Sequence, residues 1–234
     1  MSKQAVNNDI KPGSSKLKIV FIIIEIALIA VLTAVNLVEY ILTDATFLFL
    51  KLVGLILTLI ILLIISLLIK DKTACLVGNS ILTFCALAGL VLASVLPSGI
   101  RSHSQWKYKY QKAYAYRNRY VTDFFPDSIP KDVDDYYFCH VPGSLQGSGE
   151  THLLFTASPD VIKAIENEYT PNATSSFQMT NEDAEHILYN SNGFWIDTEA
   201  TIYTLSDTGN FNHPHYTKLI ISKDHTKLEF FSVA

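Results

Sequence analysis

Apolar residues fall into three long blocks in the first hundred positions and into short alternating runs after them. The middle block, Phe47–Ile69, reads FLFLKLVGLILTLIILLIISLLI, with Lys51 as its only charge and no proline. At a helical rise of ~1.5 Å per residue it is about 34 Å long, enough for a hydrocarbon core of ~30 Å. The pattern predicts a transmembrane helix there, and two more over Ile19–Val38 and Ala74–Leu96. The links Asn36–Thr46 and Lys70–Thr73 are short, so the helices are expected to run antiparallel. Ala30 with Ala34, and Gly89 with Ala93, give small-residue faces where helices of one chain or of several copies could approach closely. Pro97-Ser98-Gly99 ends the third block.

The alternating runs of the second half predict a different structure. Residues 101–120 read RSHSQWKYKYQKAYAYRNRY, where Trp106, Tyr110, Ala113, Tyr114 and Arg117 recur at helical spacing. Phe124-Phe125-Pro126 and Ile129-Pro130 mark a loop. Strands are expected at Tyr136–Val141 and His152–Thr156. Ser158-Pro159 opens a helix whose apolar face is Val161, Ile162, Ile165 and Tyr169. Residues 170–179 read as a loop, and Thr180-Asn181-Glu182-Asp183 as the start of a short helix carrying Ala184, Ile187 and Leu188 inward. Three strands follow, about Ala200–Leu205, Tyr216–Ser222 and Lys227–Val233, the last two joined by a turn at residues 223–226. The expected fold class is α+β: three transmembrane helices, then a soluble domain with a mainly antiparallel sheet covered by helices on one face. The expected layout is a disordered basic tail over 1–18, a membrane region over 19–97, an interfacial helix over 98–120 and a domain over 121–234. That domain should fold by itself.

Charge sharpens this picture. Residues 101–120 carry six basic residues and no acidic one, whereas beyond Tyr120 there are five basic and seventeen acidic residues, a net of -12. Tyrosine, tryptophan and cations beyond an apolar helix suit a membrane–water interface, so the expected partners are the lipid bilayer, anionic headgroups through 101–120, and a protein or small molecule at the domain. Single-stranded nucleic acid, with bases stacked on the tyrosines, is the alternative that the neighbouring apolar blocks make unnecessary. Lys3, Lys11, Lys16, Lys18, Lys70 and Lys72 outnumber the cations near the opposite helix ends. The charge bias therefore predicts a multi-pass protein of the cell membrane with a cytoplasmic N-terminus and an extracytoplasmic C-terminal domain.

Chemistry is sparse. There is no G-x-S-x-G, H-E-x-x-H, C-x-x-C or phosphate-binding glycine loop. Glu25, within the first block, is ion-paired by Lys70 or Lys72, snorkels to the interface, or moves ions in an oligomeric transporter or channel. His213 and His215 are one apart and could share a metal, but Pro214 separates them and no third ligand can be named. Cys139 and His140 are adjacent on a strand, so they face opposite ways and are badly placed to share a proton. Asp132, Asp134 and Asp135 lack the glycine and distal glutamate of a calcium loop. Asn172-Ala173-Thr174 fits a glycosylation sequon. No catalytic, cofactor or metal residue is assigned, and the expected role is a non-enzymatic one, binding or sensing a partner; a membrane-tethered enzyme using Cys139 or His213 and His215 is the further alternative.

The stretch Phe125–Phe155, with FPDSIP, an acidic segment, YYF and PGSLQG, resembles uncharacterised membrane-anchored proteins of Gram-positive bacteria. The resemblance implies a bacterial, membrane-tethered α+β domain and carries no activity or site residue with it.

Overall fold

The structure is a computed structural model that describes residues 13–45, 99–117, 123–143, 148–179, 199–209 and 214–233, with isolated helical positions between 53 and 88. The chain divides into two units, one of residues 1–38 and 48–96, the other of residues 39–47 and 97–234.

In the first unit, helix α1 begins; it spans Gly13–Thr43. It continues past the expected end at Val38 because nothing in Glu39–Thr43 breaks a helix. Asp44 stops it, adopting a left-handed conformation (φ 58°) and donating its N–H to the Tyr40 carbonyl at 2.9 Å. The transmembrane reading needs correction. Among the described residues no helix is long and apolar enough to cross a membrane. A crossing needs about 20 consecutive apolar residues, and in α1 Glu25, Thr33 and Asn36 interrupt the apolar run. The other two expected spans, 47–69 and 74–96, lie outside the described residues apart from the isolated positions. The multi-pass cell-membrane location and the orientation drawn from the lysines required membrane-spanning helices, and the described residues contain none. Ile19, Ile23, Val31 and Val35 on α1 are each more than half exposed. Apolar surface of this kind marks a site of interaction with protein or with lipid.

The second unit is built on strands β1 (Ile100–Ser102), β2 (Val133–Val141), β3 (Glu150–Ala157), β4 (Ser175–Met179), β5 (Ala200–Asp207), β6 (Tyr216–Ser222) and β7 (Lys227–Val233). They form one sheet in the order β1-β2-β3-β7-β6-β5-β4, and every described pairing is antiparallel. The mainly antiparallel sheet is therefore as the sequence suggests. Helices α2 (Tyr108–Arg117) and α3 (Pro159–Tyr169) accompany it. Two strands lie where none was expected. β1 follows directly on Gly99, where an added Cβ would stand 3.2 Å from the His140 carbonyl oxygen, so the chain can approach β2 there only without a side chain. β4 occupies the stretch read as a loop; four of its five residues are exposed, so it lacks the alternation that marks a half-buried strand.

Register sorts the side chains onto two faces. Phe138, Leu153, Phe230, Leu219 and Tyr203 are successive cross-strand partners and form one row of the first face. Tyr108 of α2 meets Tyr136 and Phe138 edge-on, and Tyr169 of α3 meets Phe230 edge-on at 5.0 Å, so both helices attach to this face. Glu166 of α3 accepts hydrogen bonds from the Tyr203 hydroxyl (2.6 Å) and contacts His225 Nε2 (3.0 Å) in the β6–β7 turn. That turn is closed by Asp224, whose carboxylate accepts from the N–H and hydroxyl of Thr226 and from the Ser222 hydroxyl; these bonds hold its carboxyl below the usual range. The second face carries an apolar cluster of Met179, Ala200, Ile202 and Ile220, with Leu154 packed against it. On the same face His152 stacks on Phe231 at 4.6 Å.

Candidate functional site

A cavity of about 600 Å³ lies where loop 123–130 meets the end of α3. The sequence builds it in three steps. Ser158 sits at the N-cap of α3 but makes no side-chain cap bond; Pro159 starts the helix, and Ile162 donates its N–H to the Ser158 carbonyl. The apolar stripe of α3 buries Ile162 against the sheet and sets Ile165 and Tyr169 at the cavity wall. Loop 123–130 is then fastened to α2 and to the turn just before it. Tyr108 donates to the Pro126 carbonyl (2.6 Å), Gln105 to the Pro130 carbonyl (2.7 Å), and Lys112 to the carbonyls of Phe125 and Pro126 and to the Asp127 carboxylate.

The lining mixes the aromatic residues Phe124, Phe125, Phe155 and Tyr169 with polar and acidic ones. Phe125 and Phe155 are fully buried, and Phe125 packs on Phe230 at 5.7 Å. The rim carries Asp123, Asp127 and Glu168, and no Lys, Arg, His or Cys is among the described lining residues. Burial, reinforced by the carboxylates of Glu168 and Asp127, pushes the Tyr169 phenol up to about 12, so it stays protonated and can donate. The Lys112 ammonium holds the Asp127 carboxyl below its ordinary range. Such a lining can bind and orient a ligand; it offers no activated nucleophile.

The residues singled out from sequence lie elsewhere. Cys139 is buried on the second face, opposite Arg101 on β1 and His152 on β3. Burial pushes its thiol up, and the weaker pull of Tyr137 and Arg101 does not reverse this, so it is not a poised thiolate. His140 faces the other way, as adjacent strand residues must, with Nδ1 3.0 Å from the Thr151 hydroxyl. His215 is exposed just before β6, and His213 lies outside the described residues. Asp132, Asp134 and Asp135 are exposed at the start of β2, where a bulge intervenes, and no group of three potential metal ligands occurs among the described residues. Asn172 is exposed at the cavity edge. Glu25 lies within α1, its side chain outside the described set, as are Lys70 and Lys72. Ala30 and Ala34 are exposed on α1, and Gly89 and Ala93 are not described.

Of the six cations in 101–120, three are committed within the second unit: Lys107 to Asp44, Lys112 to Asp127 and Arg117 to Glu39. Trp106, Tyr110 and Tyr116 are 63%, 46% and 59% exposed, while Tyr108, Gln111, Tyr114 and Ala115 point inward. Sequence reading missed the cavity. Its signals were present, since Phe124-Phe125-Pro126 puts two aromatics in a proline loop, but nothing local says that Phe155 and Tyr169 join them.

The chain matches no protein-family model, no curated protein and no solved structure. The resemblance over residues 125–155 therefore carries no assignment of function.

Proposed function

We propose that the second unit is a binding domain without catalytic activity, and that its ligand is a small molecule or a side chain seated in the cavity between loop 123–130 and α3. The observation that carries this reading is the cavity itself: its volume of about 600 Å³ is within the ~300–1,000 Å³ of ligand pockets, and its lining sets polar groups, Asp123, Ser128, Glu168 and Asn172 among them, beside Phe124, Ile165 and Tyr169. The test is to fill it. Ile165→Trp should abolish the binding of small aromatic and alkyl probes by the full chain, read by saturation-transfer NMR. Equal binding to the variant and the parent would place the ligand elsewhere and remove the reading.

A second surface supports contact with anionic headgroups. Trp106, Lys109, Tyr110 and Tyr116 are exposed on or beside α2, and aromatic rings next to cations suit a headgroup layer. Lys109→Glu combined with Trp106→Ser should weaken binding of the full chain to vesicles containing phosphatidylglycerol. Unchanged binding would dismiss it. No observation favours an ion path through Glu25.

A further inference from the structure

We infer that the outer edge of β4 pairs with the β4 edge of a second copy of this chain, joining two sheets across a two-fold axis through Phe177. This surface is independent of the cavity. An edge strand offers unpaired backbone N–H and C=O groups to any extended chain, and proteins blunt such edges with short strands, charges or cover. At one end of the sheet β1 has all three. It is three residues long, Arg101 stands at its centre, and Ala45 bridges to Ile100 beside it while the Ser102 hydroxyl donates to the Asp44 carboxylate. At the other end β4 has none of them. It pairs with β5 over five consecutive residues without a bulge, it contains no charged residue and no proline, and Ser175, Ser176, Phe177 and Gln178 are all exposed. No described strand pairs with its outer edge.

What β4 leaves unfinished identifies the occupant. On the second face Ile220, Ile202 and Phe177 are successive cross-strand partners. Ile220 and Ile202 are 2% and 0% exposed, and the row then ends at Phe177, 40% exposed. In an antiparallel pair centred on Phe177, the next position of the row is Phe177 of the second copy, so the apolar row continues ring against ring. On the first face Ser176 stands opposite Gln178 of the second copy, hydroxyl against amide, twice by symmetry. Gln178 already donates Nε2 to the Thr201 hydroxyl at 2.9 Å, which leaves its carbonyl oxygen to accept. The chain beyond Tyr120 carries a net charge of -12, so two copies repel over most of this surface. The neutral β4 edge brings no charge against its like. A five-residue edge buries less than the ~1,200 Å² of a standard interface, so the dimer separates on dilution.

Sedimentation of the full chain in a maltoside detergent should show dimers that dissociate as the concentration falls. Phe177→Glu and Phe177→Lys each set like charges opposite one another, so each alone should associate at least about tenfold more weakly, and an equimolar mixture of the two should recover about fivefold. That recovery also shows that both variants fold. Oxidation then reads the register, in a chain carrying Cys75→Ser and Cys85→Ser, where Cys139 is buried. Phe177→Cys should cross-link with its copy, since opposed residues stand ~4.5–5.5 Å apart at Cα. Ser176→Cys should not, because its copy lies diagonally, ~7–8 Å away, but it should cross-link with Gln178→Cys. A parent chain that stays monomeric up to about 1 mM overturns the inference and leaves the edge to a strand from another protein. Self-association that ignores both charge variants overturns it as well, as does cross-linking of Ser176→Cys with itself as fast as that of Phe177→Cys.

Discussion

The two faces of the sheet hold two histidines that are equally buried, one neutral and one charged. His140 on β2 is 0% exposed and His152 on β3 is 1% exposed. On the first face the row running through His140 continues with Thr151, Ser232 and Thr217, all fully buried and all neutral hydroxyls. Burial there pushes His140 down to about 4, so it is uncharged at neutral pH. On the second face burial also works against the charge of His152. It is overcome by Glu150 and Glu229, which raise His152 to about 9. Glu229, fully buried, bonds Nδ1 at 2.7 Å; Glu150 stands 3.6 Å from Nε2, too far for a hydrogen bond, and acts as a nearby charge. The lesson is that depth does not set the charge of a group. What decides is whether a carboxylate shares its face.

The largest effect should come from stripping one face. A fragment of residues 97–234 keeps β1 and α2, whereas one of residues 121–234 loses buried Ile100, Tyr108, Tyr114 and Ala115 from the first face alone. Removing two buried tyrosines and their cover is expected to cost more than ~5 kcal/mol, given ~3–5 kcal/mol for a single large aromatic. Urea titration should show cooperative unfolding for the longer fragment and none, or a far lower midpoint, for the shorter. Equal midpoints would mean that α2 is an attachment and not part of the core.

On the other face, Glu229→Gln leaves a buried imidazolium without its charge partner. Breaking a buried pair in this way costs ~3–5 kcal/mol. The titration of His152, followed by NMR, should fall toward the range of His140. A loss under ~1 kcal/mol would show that the pair is dispensable.

The same contrast predicts a stability profile with two flanks. The folded value of His152 is raised above the ordinary 6.5, so its contribution is fully present below about pH 6.5 and is lost as pH rises through about 9. The folded value of His140 is depressed, so its contribution is present above about pH 6.5 and is lost as pH falls through about 4. Each flank is worth roughly 3 kcal/mol at most. Unfolding free energies measured across this range should pass through a maximum near pH 6.5, and His152→Phe should flatten only the alkaline side. A profile whose alkaline side survives that substitution would assign the effect to another group.

Much of this sheet is legible in the sequence, for identifiable reasons. β2, β3, β5, β6 and β7 were found because Val, Ile, Tyr and Phe cluster between turn residues, and the β6–β7 turn was found because Lys223-Asp224-His225-Thr226 has hairpin length. β1 escaped because three residues after a glycine carry no periodicity. β4 escaped because Ser175-Ser176-Phe177-Gln178 is exposed on both faces. The opposed directions of Cys139 and His140 followed from strand geometry alone. The pairing of His152 with Glu229 did not, since 77 positions separate them. Glu229 did leave a signal: it alternates with Phe231 and Val233 and sits between Leu228 and Phe230, a place where a carboxylate needs a buried partner. The apolar blocks speak for a bilayer by length and hydropathy, whereas the described residues contain no helix that meets the requirements of a span.

The smallest predicted effect probes how α2 is joined to the neutral face. Tyr136 on β2 donates its hydroxyl to Gln111 Oε1 on α2 at 2.7 Å, and both residues are buried. Burial, with a contribution from Asp44, holds the Tyr136 phenol well above its ordinary value, so it is a donor at any pH where the protein folds. Gln111 Nε2 has no partner among the described residues, so the Tyr136 bond is what keeps the other end of that amide satisfied. Tyr136→Phe removes the donor and strands the acceptor, which should cost ~1–2 kcal/mol. Gln111→Met removes the amide and leaves a hydroxyl without its acceptor, at a similar cost. The double variant leaves neither orphan, so it should be less destabilised than the sum of the two single variants by about 1 kcal/mol. Strict additivity in denaturant titrations would show that the two side chains act separately, and that α2 is held to the sheet by the edge-on rings of Tyr108, Tyr136 and Phe138 alone.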